Sequence, residues 1–242
     1  MIQQRRTSNL VITATYNEAE NIRRLITQIL SISAVDILVI DDNSPDGTAQ
    51  IVCELKKSCP SVHLILRAGK QGYGSAFVEG FRWGLEKGYQ CIITMDADFS
   101  HDPVYISQML TAVACAGVVI GSRYVDGGGT RNWGVHRKIL SWAANIYSRI
   151  ILSADVHDFT SGFRCYRREV LEQIDFAAIT SNGYSFLEEI LYECIRIGTT
   201  ILEIPIIFTD RKYGKSKINK SEIFKAIIKL PVLRLKQLLK KL

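Results

Sequence analysis

The chain has 242 residues, 47% hydrophobic and 22% charged, which suits one large α/β domain with a buried core and excludes disordered and fibrous classes. Its formal charge of +6 is uneven: from Arg211 to the end there are eleven Lys/Arg and one acid, or +10, so the preceding body carries −4. A polyanion is therefore expected to meet only the tail, and no basic stretch is interleaved with the aromatic platform that a nucleic-acid binder needs.

The N-terminus runs straight into a strand with no signal-peptide pattern. Asn9 to Thr15 is rich in β-formers. Helical spacing follows from about Glu18 to Leu30, with Ile22, Leu25, Ile26, Ile29 and Leu30 on one face. Asp36 to Asp41 is the next strand. Asn43-Ser44-Pro45-Asp46-Gly47-Thr48 is dense in turn and cap residues and opens a helix through Ile51, Val52 and Leu55. A strand over Val62–Leu66, a helix from about Tyr73 to Glu86 and a strand over Cys91–Met95 come next. Pro103 to Ser122 is uncharged and near the length of a membrane span, but it divides into a helix and a buried strand, Val118–Ile120.

The second half is less regular. Asp126-Gly127-Gly128-Gly129 reads as a loop, about Arg137 to Ile151 as a helix, Ser161–Tyr166 as a strand and about Phe186 to Ile197 as a helix. Thr200 to Phe208 reads as a strand whose Pro205 marks an edge or a bulge. Repeated βα units imply a mostly parallel sheet with helices on both faces, and a ligand crevice beyond the carboxyl ends of its strands. The expected organisation is one domain over residues 1–220 and a basic amphipathic helix over 221–242.

Two acidic pairs close strands at that edge: Asp41-Asp42, and Asp96 with Asp98 in Asp96-Ala97-Asp98. Such pairs also occur as solvated turn residues. Two of them on one edge point instead to hard oxygen ligands for Mg²⁺ or Mn²⁺, which take the rest of their shell from water and substrate phosphates. Arg123 follows a strand at the same edge, Arg131, Arg137 and Lys138 surround the glycine loop, and Arg211, Lys215 and Lys217 lie beyond Asp210. Guanidinium and ammonium groups of this kind suit phosphate oxygens, although each alone is equally an ordinary surface cation. Gly69-Lys70-Gln71-Gly72-Tyr73-Gly74 matches neither a dinucleotide fingerprint nor a Walker loop and reads as a strand-to-helix turn.

The four histidines show no metal-ligand spacing. The six cysteines, without CxxC or zinc-finger spacing, read as reduced core thiols of a cytoplasmic protein. The tail sets Phe224, Ile228, Leu235, Leu238 or Leu239, and Leu242 on one side, with lysines and arginines between them and Pro231 expected to kink the helix. It fits an interfacial helix on an anionic membrane, a helix that docks on the body, or one that binds a membrane-anchored partner.

Six segments in this order, Ala14–Glu18, Val39–Thr48, Met95–Asp98, Gly121–Tyr124, Ser161–Arg167 and Asp210–Lys217, resemble the motifs of dolichol-phosphate (polyprenol-phosphate) mannose synthases. The likeness spans roughly residues 9 to 230. The resemblance implies a GT-A fold (the Rossmann-like nucleotide-diphospho-sugar transferase architecture) and an inverting glycosyltransferase. That enzyme would move mannose from GDP-mannose to a dolichyl or polyprenyl phosphate. By the same resemblance, Ala14, Tyr16, Glu18, Ile40 and Asp42 line the nucleotide pocket, and Asp96, Ala97 and Asp98 hold the metal and diphosphate. Arg123, Arg211 and Lys217 take donor phosphates, Arg137 and Ser141 receive the lipid phosphate, and Asp98 and Arg137 carry the catalytic burden. Two positions depart from the family pattern: Ala14 stands where proline is usual, and Ser100 where some members have a glutamine metal ligand. Some members carry C-terminal membrane spans; this chain resembles those without, expected peripherally on the cytoplasmic face of a membrane. A UDP-sugar donor such as UDP-glucose, or a non-catalytic membrane-recruitment role, are the alternatives.

Overall fold

The computed structural model describes residues 8–210 and 228–235. Arg211, Lys215, Lys217 and most of the tail helix expected over 221–242 lie outside the described residues.

The first half folds as repeated βα units: β1 (Asn9–Thr15), α1 (Ala19–Ile32), β2 (Asp36–Asp41), α2 (Thr48–Ser58), β3 (Val62–Leu66), α3 (Tyr73–Glu86) and β4 (Cys91–Thr94). A 3₁₀ turn at Pro103–Tyr105 precedes α4 (Ile106–Ala112), and β5 (Val118–Ser122) follows, so the uncharged stretch divides as expected. Next come β6 (Gly129–Arg131), α5 (Val135–Leu152), β7 (Arg164–Arg167), α6 (Arg168–Leu171), α7 (Phe186–Arg196), β8 (Ile201–Pro205) and β9 (Ile207–Thr209).

Seven strands form one sheet in the order β3-β2-β1-β4-β7-β5-β8, while β6 and β9 pair in a small parallel sheet. Only β7 runs antiparallel in the large sheet, inserted between β4 and β5. The strand expected over Thr200–Phe208 is two strands broken at Ile206, with Pro205 on the edge strand β8.

Alternation along the strands splits the core into two layers. Leu10, Ile12, Leu38, Ile40, Ile92, Val118 and Ile120 pack on one face with α3 and α7. Val11, Ile37, Val39, Ile93 and Val119 pack on the other with α1 and α4. Strands buried on both faces read as continuous apolar runs, which is why the sequence located them so well. The turn before α3 also behaves as expected. Gly72 has φ +106°, and a side chain on Gly74 would lie 2.5 Å from the Ser181 carbonyl oxygen, so α3 and α7 approach too closely for any residue but glycine.

The described part of the tail is helical on both sides of Pro231 and lies against the body. Leu230 is buried, Lys229 pairs with Glu189 at 3.0 Å, and Tyr192 Oη donates to the Leu233 carbonyl at 3.1 Å. Ile228, Val232 and Leu235 remain exposed.

Candidate active site

β2 and β4 flank β1, so the loops after all three strands meet at one edge. The loop after β2 is architectural. Asp41 is buried and accepts hydrogen bonds from Thr15 Oγ1 (2.7 Å) and from Ser44 N and Oγ (2.8 and 2.6 Å). Ser44, Thr48 and Asp46 then accept from the backbone N–H groups of Asn17, Glu18 and Ala19. This loop satisfies donors at the start of α1 that no intrahelical carbonyl can reach. Asp42 pairs with buried Arg67, whose Nε lies 2.5 Å from Oδ1, and Arg67 also holds Ser75 Oγ and the Gly72 carbonyl. The Asp41-Asp42 pair therefore binds the chain to itself: Asp41 is held by its own loop and Asp42 is paired with Arg67.

Of the remaining residues expected to line the nucleotide pocket, Ala14 is half-buried, opposite Ile40 in register. Tyr16 has the Lys70 ammonium 4.9 Å from its ring centre, and Glu18 accepts from Asn21 Nδ2 at 2.9 Å. The Ile40 side chain is wholly buried, and its Cδ1 would lie 2.8 Å from a Cβ at Gly80, so this position can offer a ligand only its backbone.

The loop after β4 is held differently. Asp96 is partly exposed and accepts from Tyr73 Oη at 3.1 Å. Its own N–H donates to His101 Nδ1 at 3.0 Å, so that nitrogen carries no proton. Burial outweighs the nearby carboxylates and lowers the His101 pKa, which keeps the ring neutral. The 3.9 Å separation between Nδ1 and Asp96 Oδ2 is therefore not an ion pair. Ala97 is buried. Asp98 is buried too, and its Oδ1 accepts from the N–H (3.0 Å) and hydroxyl of Ser100. Phe99 between them has φ +62°, a conformation that costs a non-glycine residue energy and recurs at functional loops.

Among the described residues Asp96 and Asp98 gather no third His, Cys, Asp or Glu into a closed cage. Two carboxylates, one partly exposed, fit the open kind of Mg²⁺ or Mn²⁺ site completed by water and substrate phosphate, not a structural metal centre.

Arg123 closes β5 at the same edge but is turned inward. Its Nε and Nη2 bind Asp158 at 2.7 and 2.6 Å, Nη2 reaches Thr160 Oγ1 at 2.5 Å, and Trp133 and Phe208 pack on the guanidinium. Burial raises the Asp158 pKa, but the guanidinium overrides it and holds the carboxyl below its usual range. The motif Ser161–Arg167 is structural as well. Buried Arg164 donates to the carbonyls of Leu187 and Phe159 at 2.7 and 2.6 Å, and Ser161 Oγ to that of Gly121 at 2.7 Å.

Arg137 lies near the start of α5 with its guanidinium 4.1 Å from the centre of the Trp133 ring and 2.7 Å from Asp210 Oδ1. Ser141 follows one turn later, half-buried on the same face. Beside them a cavity of about 310 Å³ is lined by Arg123, Tyr124, Thr130, Lys138, Ile139 and Trp142.

The rest of α5 is inside out. Asn145, Ser148 and Leu152 are its buried residues, whereas Val135, Ile139, Trp142 and Ile150 are 69, 58, 56 and 68% exposed, with Leu140 and Ile146 between them. Its 18 residues include Arg137, Lys138 and Arg149 and no acid.

The family model for glycosyl transferase family 2 matches residues 10–175, from β1 past β7 and therefore across both the β4 carboxylates and Arg137. The chain belongs to glycosyl transferase family 2. It is similar to polyprenol monophosphomannose synthase of Mycolicibacterium smegmatis, with 46% identity over 224 residues, covering 91% of this chain and 84% of the relative. It is also similar to undecaprenyl-phosphate mannosyltransferase of Micrococcus luteus, with 42% identity and 90% of each chain covered. Two more distant solved structures share the fold. One is glucosyl-3-phosphoglycerate synthase of Mycobacterium tuberculosis with Mn²⁺, UDP and glucosyl-3-phosphoglycerate, at TM-score 0.66, 17% identity and coverage of 96% of this chain and 80% of that one. The other is a mannosyltransferase of Pyrobaculum calidifontis with GDP-Man and Mn²⁺, at TM-score 0.60, 16% identity and coverage of 98% and 65%. As a glycosyl transferase family 2 enzyme the chain has the α/β, GT-A-like architecture expected from its sequence. Sequence reasoning missed Arg67, His101 and Asp158, which hold the loops, and the exposed face of α5.

Proposed function

We propose that this glycosyltransferase moves mannose from GDP-mannose to a polyprenyl (dolichyl) phosphate, with inversion, giving a β-mannosyl phospholipid. The names of the two relatives, matched over nine-tenths of the chain, support the sugar and the acceptor. The observation that carries the reading is the junction of a phosphate-competent cation with an exposed apolar helix. Arg137 sits on Trp133 at the head of α5, and Ile139 and Trp142 belong both to the adjoining cavity and to the exposed stripe. A water-soluble acceptor needs no such surface; a phosphate on an isoprenoid chain does.

Ala14, Tyr16, Glu18, the Ile40 backbone and Asp42 line the nucleotide side. Asp96 and Asp98 hold Mg²⁺ or Mn²⁺, which when bound offsets charge on the departing diphosphate. Arg211 and Lys217 supply positive charge toward the donor phosphates, while Arg123, paired with Asp158, anchors the segment after β5. Arg137 and Ser141 receive the acceptor phosphate and orient one of its oxygens toward the sugar. That oxygen forms a bond to C1 from the face opposite the leaving group, the C1–O bond to the diphosphate breaks, and GDP departs with the electron pair. The acceptor is already an anion at neutral pH, so no protein base removes a proton. The residues position two repelling phosphates and compensate their charge.

α5 lies on an anionic bilayer with its apolar stripe inserted and Lys138 and Arg149 near the headgroups. The enzyme is thus peripheral on the cytoplasmic face of a membrane. Among the described residues no helix is long and apolar enough to cross a membrane.

The test is transfer from radiolabelled GDP-mannose or UDP-glucose to a short polyprenyl phosphate with Mn²⁺. The reading requires an alkali-stable, mannose-labelled lipid formed from GDP-mannose in preference. Preferential labelling from UDP-glucose would overturn the donor assignment.

A further inference from the structure

The cation offered to the acceptor is already engaged. Arg137 Nη1 and Asp210 Oδ1 are 2.7 Å apart, and each side chain is 32% exposed. Neither partner depends on the pair for its place. The guanidinium rests on Trp133, which is itself wedged against Phe208 with ring centres 5.2 Å apart. The backbone leading into Asp210 is fastened on two sides: Thr209 N–H donates to the Ser100 carbonyl at 3.3 Å, and Asp210 N–H to the Arg131 carbonyl at 3.0 Å. A half-exposed ion pair of this kind contributes little to stability. A phosphate dianion offers a guanidinium more charge than a carboxylate does, so it competes with Asp210 for the same fork.

We infer that Asp210 is a placeholder anion for the acceptor phosphate. Its carboxylate occupies Arg137 until the acceptor's phosphate displaces it, and so it sets the affinity of the acceptor site. The role rests on the assignment of Arg137 to the acceptor phosphate. It follows from position: β9 delivers Asp210 to the cation while its neighbour Thr209 touches Ser100, the residue that holds Asp98. Asp210 is a positioning residue; it does not touch the reacting atoms.

The test uses the full chain with Asp210→Asn, which keeps size and removes charge. Two readouts are made. Inorganic phosphate binding is followed by ³¹P line broadening without donor, and the acceptor KM and kcat are measured with a short polyprenyl phosphate, GDP-mannose and Mn²⁺. The placeholder role predicts that Asp210→Asn binds phosphate about three- to fivefold more tightly, as expected for removing one exposed competing charge. It also predicts that the acceptor KM falls by a similar factor at unchanged kcat, and that Asp210→Asn has no effect in an Arg137→Ala background. Weaker phosphate binding or a raised KM would make Asp210 a buttress for Arg137 and overturn the inference, as would an effect that survives in Arg137→Ala. If no variant transfers sugar to the lipid, the functional reading fails, while the phosphate measurement still decides the role of Asp210.

Discussion

Two arginines at this site carry opposite consequences, because one is buried with its counter-ion and the other is shared with solvent. Arg123 and Asp158 are 6 and 0% exposed. Breaking such a pair strands a charge, so Asp158→Asn should destabilise the protein by about 3–5 kcal/mol in urea melts. The pH dependence has a definite sign. The Asp158 carboxyl titrates lower in the folded chain than in the unfolded one, because the Arg123 charge outweighs burial. The stabilisation is therefore complete above the unfolded value of about 3.9 and is lost as the pH falls through the lower folded value. In Asp158→Asn that part of the acid limb should vanish; an unchanged limb would show that the pair is not the group responsible. Arg137 makes a contact worth far less to the fold, so Arg137→Ala should melt within about 0.5 kcal/mol of the wild type. Its acceptor KM should rise at least tenfold while GDP-mannose binding is retained, and equal losses for both substrates would remove it from the acceptor site. The place of Asp98 at the carboxyl edge of the sheet was legible from its position after an apolar strand. That Asp41 would turn inward was not, because nothing in two adjacent aspartates says which one Ser44 and the distant Thr15 will claim.

At the level of elements, α5 is the decisive one. Its sequence is apolar at so many positions that periodicity alone gives no single inner face, and only the fold reveals that Asn145 and Ser148 point in while Ile139 and Trp142 point out. Membrane contact was instead read from the tail, where Leu230 proves to be buried against the body, although Ile228, Val232 and Leu235 are exposed. The double variant Ile139→Glu/Trp142→Glu should lose vesicle binding by about a hundredfold or more, since burying each such side chain contributes about 1.5–3 kcal/mol. Its melting free energy should stay within about 0.5 kcal/mol of wild type per site, both side chains being exposed already. Unchanged co-sedimentation with vesicles containing anionic lipid would rule out α5 as the docking surface. Strands β1 to β4 were placed almost residue for residue by their unbroken apolar runs, whereas β8 and β9 were read as one. β6 and β7 were harder, being short, and β7 inserts out of chain order through contacts that no local pattern encodes.

For the whole molecule, the sheet brings a carboxylate loop after β4 and the arginine segment after β5 to one side, and α5 adds an apolar surface beside them. The gross charge had already separated a mildly acidic body from a basic tail; the fold adds a second basic, acid-free surface in α5. The account rests on the β4 carboxylates holding a divalent cation against a sugar nucleotide. The most direct measurement is the thermal stabilisation of wild type and Asp98→Ala by GDP-mannose and by UDP-glucose, with and without Mn²⁺. A ligand at about a hundred times its Kd stabilises by about 2.7 kcal/mol, enough to resolve as a shift in Tm. The account predicts a shift in wild type that needs Mn²⁺ and favours GDP-mannose, and none in Asp98→Ala, whose unliganded Tm is close to that of the wild type. An Asp98→Ala protein that keeps the full Mn²⁺-dependent shift would contradict it.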